Sequence, residues 1–306
     1  HDYLVLPINA KVRDGLRLIR REMPRHTDMI FLINRSGHFS EAVPIAKLHV
    51  LPEHLHLTDV SLDDFPVISA VEEGQLVAKE VLLSGFGALP VVDENEKLIG
   101  RIDVTTAAEL MQEYYEGQIM ASAGMDEDED LFSPVRKSDK GRAIWLGINL
   151  LTAFVASAFI GMFEATIQQV VALAVLMPVV ASMGGIAGSQ TLTLIIRGLA
   201  LKQVTSANVG ALLSKEFKVG GLNGVIWAVV IGVVALLWFN DPLLGLVIGI
   251  AIFLNIIAAA LAGVFVPVIL DKYKIDPALS GSVILTTVTD IVGFVAFLGL
   301  GTVFLL

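Results

Sequence analysis

The chain has 306 residues, of which 55% are hydrophobic and only 17% charged, whereas soluble domains carry about 25% charged residues, so an ordinary soluble globule is excluded. The absence of cysteine excludes disulfide frameworks, thiolate metal sites and cysteine nucleophiles. The net charge of −10 lies entirely within residues 1–142, since residues 143–306 carry six basic and six acidic residues; this acidic part disfavours polyanions and favours cations as partners.

Residues 1–125 are predicted to form short β-strands that alternate with helices. The strands are indicated by short apolar runs beside turn residues such as Ser36-Gly37 and Glu94-Asn95. The order of helix, strand, turn and strand occurs twice, so we predict two structural repeats. The predicted strands cover residues 28–34, 43–45 and 89–93, and the predicted helices cover residues 11–21 and 71–83.

The second repeat carries a recognisable signature. Residues 87–102 read GALPVVDENEKLIGRI, which closely resembles a cystathionine-β-synthase-type (CBS) repeat, and residues 29–48 resemble it less closely. The resemblance implies that residues 1–58 and 59–104 are two CBS repeats packed as one α+β regulatory module that senses a small ligand. Many such modules hold a nucleotide ribose with an aspartate after the last strand. The segment DVTTAAE from Asp103 has no clear acidic residue at that spot, so ATP at the CBS pair stays an open alternative.

Residues 105–125 are predicted to form an amphipathic connecting helix, with Thr105 or Thr106 as its N-cap. An acidic run at 126–130 follows, within a linker covering residues 126–141. Either this region is a solvated, self-repelling segment, or its carboxylates bind hard divalent cations. The carboxylates that share one face of the helix are Glu109, Glu113 and Glu116.

Residues 142–306 contain five apolar stretches, each with about the 20 residues that a membrane span requires. The second stretch is longer than one straight crossing needs, so we expect it to tilt, to bend at Pro178 or to extend beyond the bilayer. The alternative is that these stretches form the buried core of a soluble domain. Five stretches of this length are too many for that explanation. The predicted spans are residues 143–163, 165–196, 219–239, 243–270 and 278–306.

The basic residues near the spans predict the orientation. They number four, zero, four, zero, two and zero along successive loops. The positive-inside rule therefore predicts a cytoplasmic N-terminal module and a C-terminus outside.

Asp290 is the ionisable residue that we identify deep in a predicted span. A carboxylate at the centre of a membrane helix costs about 2.5–3.5 kcal/mol. Thr286 and Thr287 lie within one turn of it, and the sequence offers no Lys or Arg at comparable depth. A cation is therefore the expected counter-charge. The alternative is a protonated Asp290 hydrogen-bonded between helices.

The second span contains the motif MPVVASMGGIAGSQ at residues 177–190. Pro178 frees a backbone carbonyl, and Gly184, Gly185 and Gly188 allow backbones to approach closely. Such a segment either lines a cavity or simply packs against another helix.

The part of this motif from Pro178 to Gln190, together with TTVTD at residues 286–290, resembles the MgtE family of magnesium channels and transporters. The order of parts agrees over essentially the whole chain. Ile186 departs from the family pattern, which usually has Asn there. The chain opens at His1 without the helical N-terminal domain that many members carry, so we expect a segment to be missing upstream.

The family resemblance implies a homodimer in the bacterial inner membrane, with a Mg²⁺ pore on its two-fold axis between spans 2 and 5. It implies that hydrated Mg²⁺ binds at Asp290 and that intracellular Mg²⁺ closes the pore by binding the acidic face of the connecting helix and the CBS pair. The implied metal-binding residues are Asp290, Asp276, Glu72, Glu109, Glu113 and Glu116. The implied pore-lining residues are Gly184, Gly185, Gly188, Ser282, Thr286 and Asp290.

An enzyme is not expected, since the sequence has no P-loop, no HExxH motif and no recognisable nucleophile–His–acid set. Two other functions stay open. One is a proton- or sodium-coupled transporter of divalent cations, and the other is a membrane-anchored CBS sensor that transports nothing.

Overall fold

The computed structural model describes residues 3–22, 27–125, 131–132 and 134–306. The acidic run predicted at 126–130 lies outside the described residues. The chain divides into two compact units, His1–Gly117 and Gln118–Leu306. The boundary falls inside a helix, so the domain limits predicted from the sequence stay predictions.

The first unit consists of two repeats that have the same topology. In each repeat the second strand is central: it pairs parallel with the first strand and antiparallel with the third. The first repeat contains β1 (Leu4–Pro7), α1 (Val12–Glu22), β2 (Met29–Ile33), β3 (Phe39–Pro44) and the short α2 (Ile45–Leu48). The second contains β4 (Ile68–Ser69), α3 (Gly74–Ser84), β5 (Ala88–Val92) and β6 (Leu98–Asp103).

The predicted repeat of helix, strand, turn and strand is confirmed, and each repeat also has a first strand that the sequence did not indicate. β1 has four residues and β4 has two, which is too short for a period-two pattern to be visible. β3 also begins four residues earlier than predicted, because its first half is only partly buried and therefore mixes polar with apolar residues.

Equivalent turns follow the two central strands. Asn34 Oδ1 accepts the backbone N–H groups of Ser36 and His38 at 2.9 and 3.0 Å. Asp93 Oδ1 accepts the corresponding N–H groups of Asn95 and Lys97, both at 2.9 Å, and the bond from Lys97 lowers the Asp93 pKa. Both turns therefore use an Asx side chain that replaces a backbone partner.

One apolar core joins the two repeats. Phe31 and Ala42 of the first repeat are buried together with Leu89 and Val77 of the second. Phe65, which lies between the repeats in sequence, contacts Phe31 with ring centroids 6.5 Å apart. The repeats therefore fold as one module, as the sequence predicted.

Helix α4 (Val104–Ser122) follows β6 directly, and its cap differs from the prediction. Asp103 Oδ1 accepts the backbone N–H of Thr106 at 2.8 Å, so Asp103 rather than a threonine caps the helix. This hydrogen bond lowers the pKa of Asp103, with a smaller contribution from Arg101, whose Nη2 lies 3.7 Å from Oδ2.

We expect Asp103→Ala to weaken the start of α4 by about 1 kcal/mol, the usual contribution of an N-cap. Because the folded-state pKa is lowered, the stabilisation is complete above the ordinary carboxyl pKa and is lost as pH falls through the folded-state value. Hydrogen exchange of the Thr106 amide at neutral pH measures the change, and Asp63→Ala, also on the surface, is the control. Unchanged exchange at Thr106 would contradict the capping role.

Among the residues that the structure describes, the second unit contains five helices that are long and apolar enough to cross a membrane. The five predicted spans are thus confirmed in number and order. Helix α9 (Pro242–Lys272) is the most buried of them, because the second, third and fifth of these helices pack around it, whereas the first packs against the fifth. The long helices are α5 (Val135–Gly161), α7 (Val171–Ala200), α8 (Val209–Phe239), α9 (Pro242–Lys272) and α10 (Pro277–Leu305).

Three helix starts differ by six residues or more from the predicted spans, and the first of them is α5, which begins at Val135 rather than at residue 143. The long second stretch is interrupted at Val170, which separates a short helix α6 (Glu164–Gln169) from α7, while α7 continues through Pro178. Helix α8 begins ten residues before the predicted span, because Lys215, Glu216 and Lys218, which the sequence assigned to a loop, continue the helix.

Helices α7 and α10 run antiparallel in close contact. Glycines on each helix contact side chains of the opposite helix. In these pairs the residue numbers on α7 decrease as those on α10 increase, which shows the antiparallel direction. The pairs are Gly281 with Leu192, Leu285 with Gly188, Gly293 with Val180, and Gly301 with Leu173. Asp290, three residues before Gly293, therefore lies at the level of Met183.

Candidate functional site

A strip of oxygen-bearing side chains runs along one face of α10. Ser282, Thr286 and Asp290 are spaced four residues apart and therefore lie on one face of the helix. Thr286 is exposed, and Ser282 and Asp290 are half-buried. Thr286 Oγ1 donates its proton to the Ser282 carbonyl at 2.9 Å, so the lone pairs of this hydroxyl remain available to a cation.

The Asp290 carboxylate has no counter-charge within the described part of the chain. No hydrogen bond or ion pair joins it to another described residue, and the basic residues of α7 to α10 lie near helix ends or in loops. An unpaired carboxylate is costly at membrane depth. The cation expected at Asp290 therefore stays a prediction.

A second polar strip lies on α7. Ser182, Ser189 and Thr193 are exposed, although most of this helix is apolar. Gly185 and Ile186 line a shallow depression of about 280 Å³ together with Ser189, Gln190 and Thr193. Ile186, the residue that departs from the family pattern, is 59% exposed, so its apolar side chain lies on this polar surface.

The three motif glycines face different surroundings. A Cβ added at Gly184 would overlap the Asn255 amide, and one added at Gly188 would lie 3.0 Å from Leu285. Both glycines are buried within the chain. A Cβ at Gly185 would meet open space. Gly184 and Gly188 therefore serve helix packing, and only Gly185 of the three faces outward.

Asp276 lies far from Asp290 on the same helix. The fourteen residues between them correspond to about 21 Å of helix rise. Asp276 is exposed and caps α10, since its Oδ1 accepts the Ala278 N–H at 2.8 Å. The two carboxylates therefore cannot bind one ion together.

The acidic residues predicted to regulate the protein are all on the surface of the first unit or of α4. Glu109, Glu113 and Glu116 share one face of α4 and are exposed, and Glu72 is exposed as well. Among the described residues of the protomer, no three acidic or histidine side chains come close enough to hold a metal ion. A site built from these carboxylates would need ligands from elsewhere, such as a second copy of the chain.

Sequence reasoning missed two buried polar residues, Glu216 and Asn255. Glu216 of α8 is 6% exposed, and its Oε2 accepts a hydrogen bond from Thr191 Oγ1 at 3.0 Å. It adjoins a cavity of about 450 Å³ beside Gln190 and Asn223. Its two lysine neighbours in the sequence made it indistinguishable from a loop residue.

Asn255 lies in the middle of α9 and is fully buried. Its Nδ2 donates to the Val180 carbonyl of α7 at 3.0 Å, while its Oδ1 has no hydrogen-bond partner among the described residues. A single amide in an apolar span is the signal that could have drawn attention to it.

Known proteins are similar to this chain over nearly its whole length. Residues 177–300 match the MgtE family, described as a divalent cation transporter. The "Magnesium transporter MgtE" of Bacillus subtilis (strain 168) is 28% identical over 99% of this chain and 68% of that protein. The protein of the same name from Thermus thermophilus is 26% identical, again over 99% of this chain and 68% of the relative.

Solved structures resemble the N-terminal part of the chain. A cystathionine beta-synthase pair domain from Shewanella oneidensis MR-1 covers 38% of this chain and 68% of its own, with 27% identity and a TM-score of 0.36. The cytosolic domain of the Mg²⁺ channel MgtE in complex with ATP covers 36% of this chain and 45% of its own, with 21% identity and a TM-score of 0.34.

Proposed function

Since this chain belongs to the MgtE family of divalent cation transporters, we propose that it conducts Mg²⁺ across a membrane through a pore on the axis of a homodimer. The observation that carries the proposal is the Asp290 carboxylate, which is half-buried on α10 and has no hydrogen bond or ion pair with another described residue. Relatives named magnesium transporters align with nearly the whole chain, which supports Mg²⁺ as the ion.

The pore is proposed to form where the polar strips of α7 and α10 meet those of a second copy. Exposed hydroxyls such as Thr286 and Ser189 are poorly solvated by lipid and well solvated by water. Two Asp290 carboxylates would bind Mg²⁺ through its water shell, because this ion loses its waters reluctantly. Gly185, Ser282 and Thr286 are the other wall residues, whereas Gly184 and Gly188 are assigned to helix packing.

The orientation follows from the charged loops. Basic residues lie before the first span and between the second and third spans, and such residues favour the cytoplasmic side. We therefore propose that the CBS pair is cytoplasmic, that the C-terminus lies outside and that the protein is in a bacterial inner membrane.

Intracellular Mg²⁺ is proposed to close the pore. The exposed carboxylates of α4, with Glu72 as a further ligand, repel each other when no ion is bound, whereas Asp276 is proposed as an acidic vestibule of the pore. Mg²⁺ between two copies would relieve this repulsion and stabilise the closed state, because a ligand shifts an equilibrium by its differential affinity for two states. ATP at the CBS pair is not part of the proposal and stays the alternative that the sequence left open, since the cap of α4 uses only Oδ1 of the Asp103 carboxylate.

The test is Mg²⁺ uptake into proteoliposomes containing the purified protein. A channel passes Mg²⁺ down its own gradient without a pH or Na⁺ gradient, and internal Mg²⁺ in the millimolar range reduces the flux. Strict dependence on a second ion would favour the coupled transporter. Absence of flux under all conditions would favour the sensor.

Water access to α10 gives a second test, which the cysteine-free sequence makes straightforward. We expect Thr286→Cys to react with a charged methanethiosulfonate reagent and to lose at least about 90% of its Mg²⁺ flux, because a bulky cation would occupy the pore. Val229→Cys on α8 is the control, since Val229 is 61% exposed in the protomer but lies outside the proposed pore. Equal reactivity at both positions would contradict the assigned pore face.

A further inference from the structure

We propose that Asn255 is a positioning residue that fixes the rotation and register of α10 and thereby sets where Asp290 faces the pore. The inference rests on the proposed function, because it assumes that Asp290 contacts the conducted ion. Asn255 lies on α9, and the proposed pore is lined by α7 and α10, so its effect on the ion is indirect.

The Asn255 amide fills two notches, which are the spaces left beside Gly184 and Gly293 by their missing side chains. The three nearest atoms to a Cβ added at Gly184 of α7 all belong to the Asn255 amide group. A Cβ added at Gly293 of α10 would lie 2.5 Å from Asn255 Nδ2. The amide is therefore in close contact with both proposed pore helices, and neither glycine can gain a side chain without displacing it.

The notch at Gly293 restricts how α10 can move. Gly293 follows Asp290 by three residues, so it lies within one helical turn of the carboxylate. A shift of α10 by one turn would bring Thr289 or Phe297 to the amide, and both are too large for a space that a Cβ already fills. A rotation would also move the notch away from Asn255. The position of Asp290 is therefore coupled to the packing of the Asn255 amide against Gly293.

The choice of an amide indicates more than packing. Asn255 Oδ1 is buried and accepts no hydrogen bond from any residue that the structure describes, which is unfavourable relative to an apolar side chain of similar size. The compensating feature is the hydrogen bond from Nδ2 to the Val180 carbonyl at 3.0 Å. This bond ties α9 to α7 at the level where Gly293 contacts α7, so one side chain holds both helices at that level.

The test uses a double-mutant cycle in proteoliposomes. Because misplacing a functional group by about 1 Å can cost on the order of 100-fold, we expect Gly184→Ala to lower Mg²⁺ flux at least about tenfold by pushing the amide aside. Adding Asn255→Ala removes the overlap, so the losses of the two single variants should not add, and the flux of the double variant should equal that of Asn255→Ala alone. Additive losses in the double variant would overturn the inference.

Gly188→Ala is the matched control for this cycle. It is also a buried α7 glycine, but its added methyl meets Leu285 and not Asn255. We expect the losses of Gly188→Ala and Asn255→Ala to add, since the two sites share no contact. Non-additive losses with both glycine variants would mean that Asn255→Ala loosens the bundle in general, and this too would overturn the inference.

Asn255→Leu separates positioning from folding. Leucine has the same branched arrangement of side-chain heavy atoms but is larger and has no donor, so thermal unfolding measured beside the flux shows whether the helix bundle still folds. The Mg²⁺ concentration for half-maximal flux should rise and the preference for Mg²⁺ over Na⁺ should fall. An Asn255→Leu protein with wild-type values of both would refute the positioning role. If the wild-type protein itself conducts no Mg²⁺, the proposed function fails, whereas normal wild-type flux with these negative results defeats the positioning inference alone.

Discussion

Asp290→Asn is expected to lower Mg²⁺ flux by about 100-fold, the ratio that corresponds to about 2.7 kcal/mol of lost binding free energy. The amide retains the size of the side chain but removes the charge that attracts the ion. Because an aspartate at membrane depth costs about 2.5–3.5 kcal/mol, the melting temperature of the variant should be unchanged or higher. Flux into proteoliposomes and thermal unfolding in detergent measure the two effects.

Asp271→Asn is the matched control for this substitution. It makes the same chemical change at an exposed carboxylate near the end of α9, so flux and stability should both be close to those of the wild type. Normal flux in Asp290→Asn would remove the basis of the proposed pore. Lost flux together with a large fall in melting temperature would instead indicate a structural role for the carboxylate.

Glu113→Gln combined with Glu116→Gln is expected to make the flux insensitive to internal Mg²⁺. Both side chains are exposed on one face of α4, where carboxylates are the ligands that a hard divalent cation prefers. Removing two of them should raise the internal Mg²⁺ concentration that halves the flux by at least about tenfold, which corresponds to about 1.4 kcal/mol. The measurement is flux at a series of internal Mg²⁺ concentrations.

Glu80→Gln combined with Glu94→Gln controls for the change in net charge. Both residues are exposed in the first unit but lie outside α4, so inhibition by internal Mg²⁺ should be as in the wild type. If the α4 double variant were inhibited normally, the regulatory site would have to lie elsewhere. The α4 double variant also separates regulation from conduction, because its flux at low internal Mg²⁺ should equal that of the wild type.

The amino-acid sequence by itself determined the features that depend on local composition. Five apolar stretches predict five spans because the thickness of the bilayer requires about 20 such residues in each, and five helices of that kind occur in the described part of the chain. Asp290 was identified from the sequence because it is a charged residue within one of these apolar stretches. The repeated order of strands and helices followed from turn residues beside apolar runs, and it failed only for β1 and β4, which are too short to show a period.

Only the tertiary structure showed which face of each apolar helix is buried against other helices and which face is exposed. In a helix that is apolar on all sides, the hydrophobic pattern does not reveal which face is buried. Gly184 and Gly185 are adjacent in sequence, yet one contacts Asn255 and the other faces open space. Glu216 and Asn255 acquire their meaning only from hydrogen bonds to residues 25 and 75 positions away. Long-range contacts of this kind arise from the packing of helices against one another, so the roles of these residues became visible only once the helices were assembled.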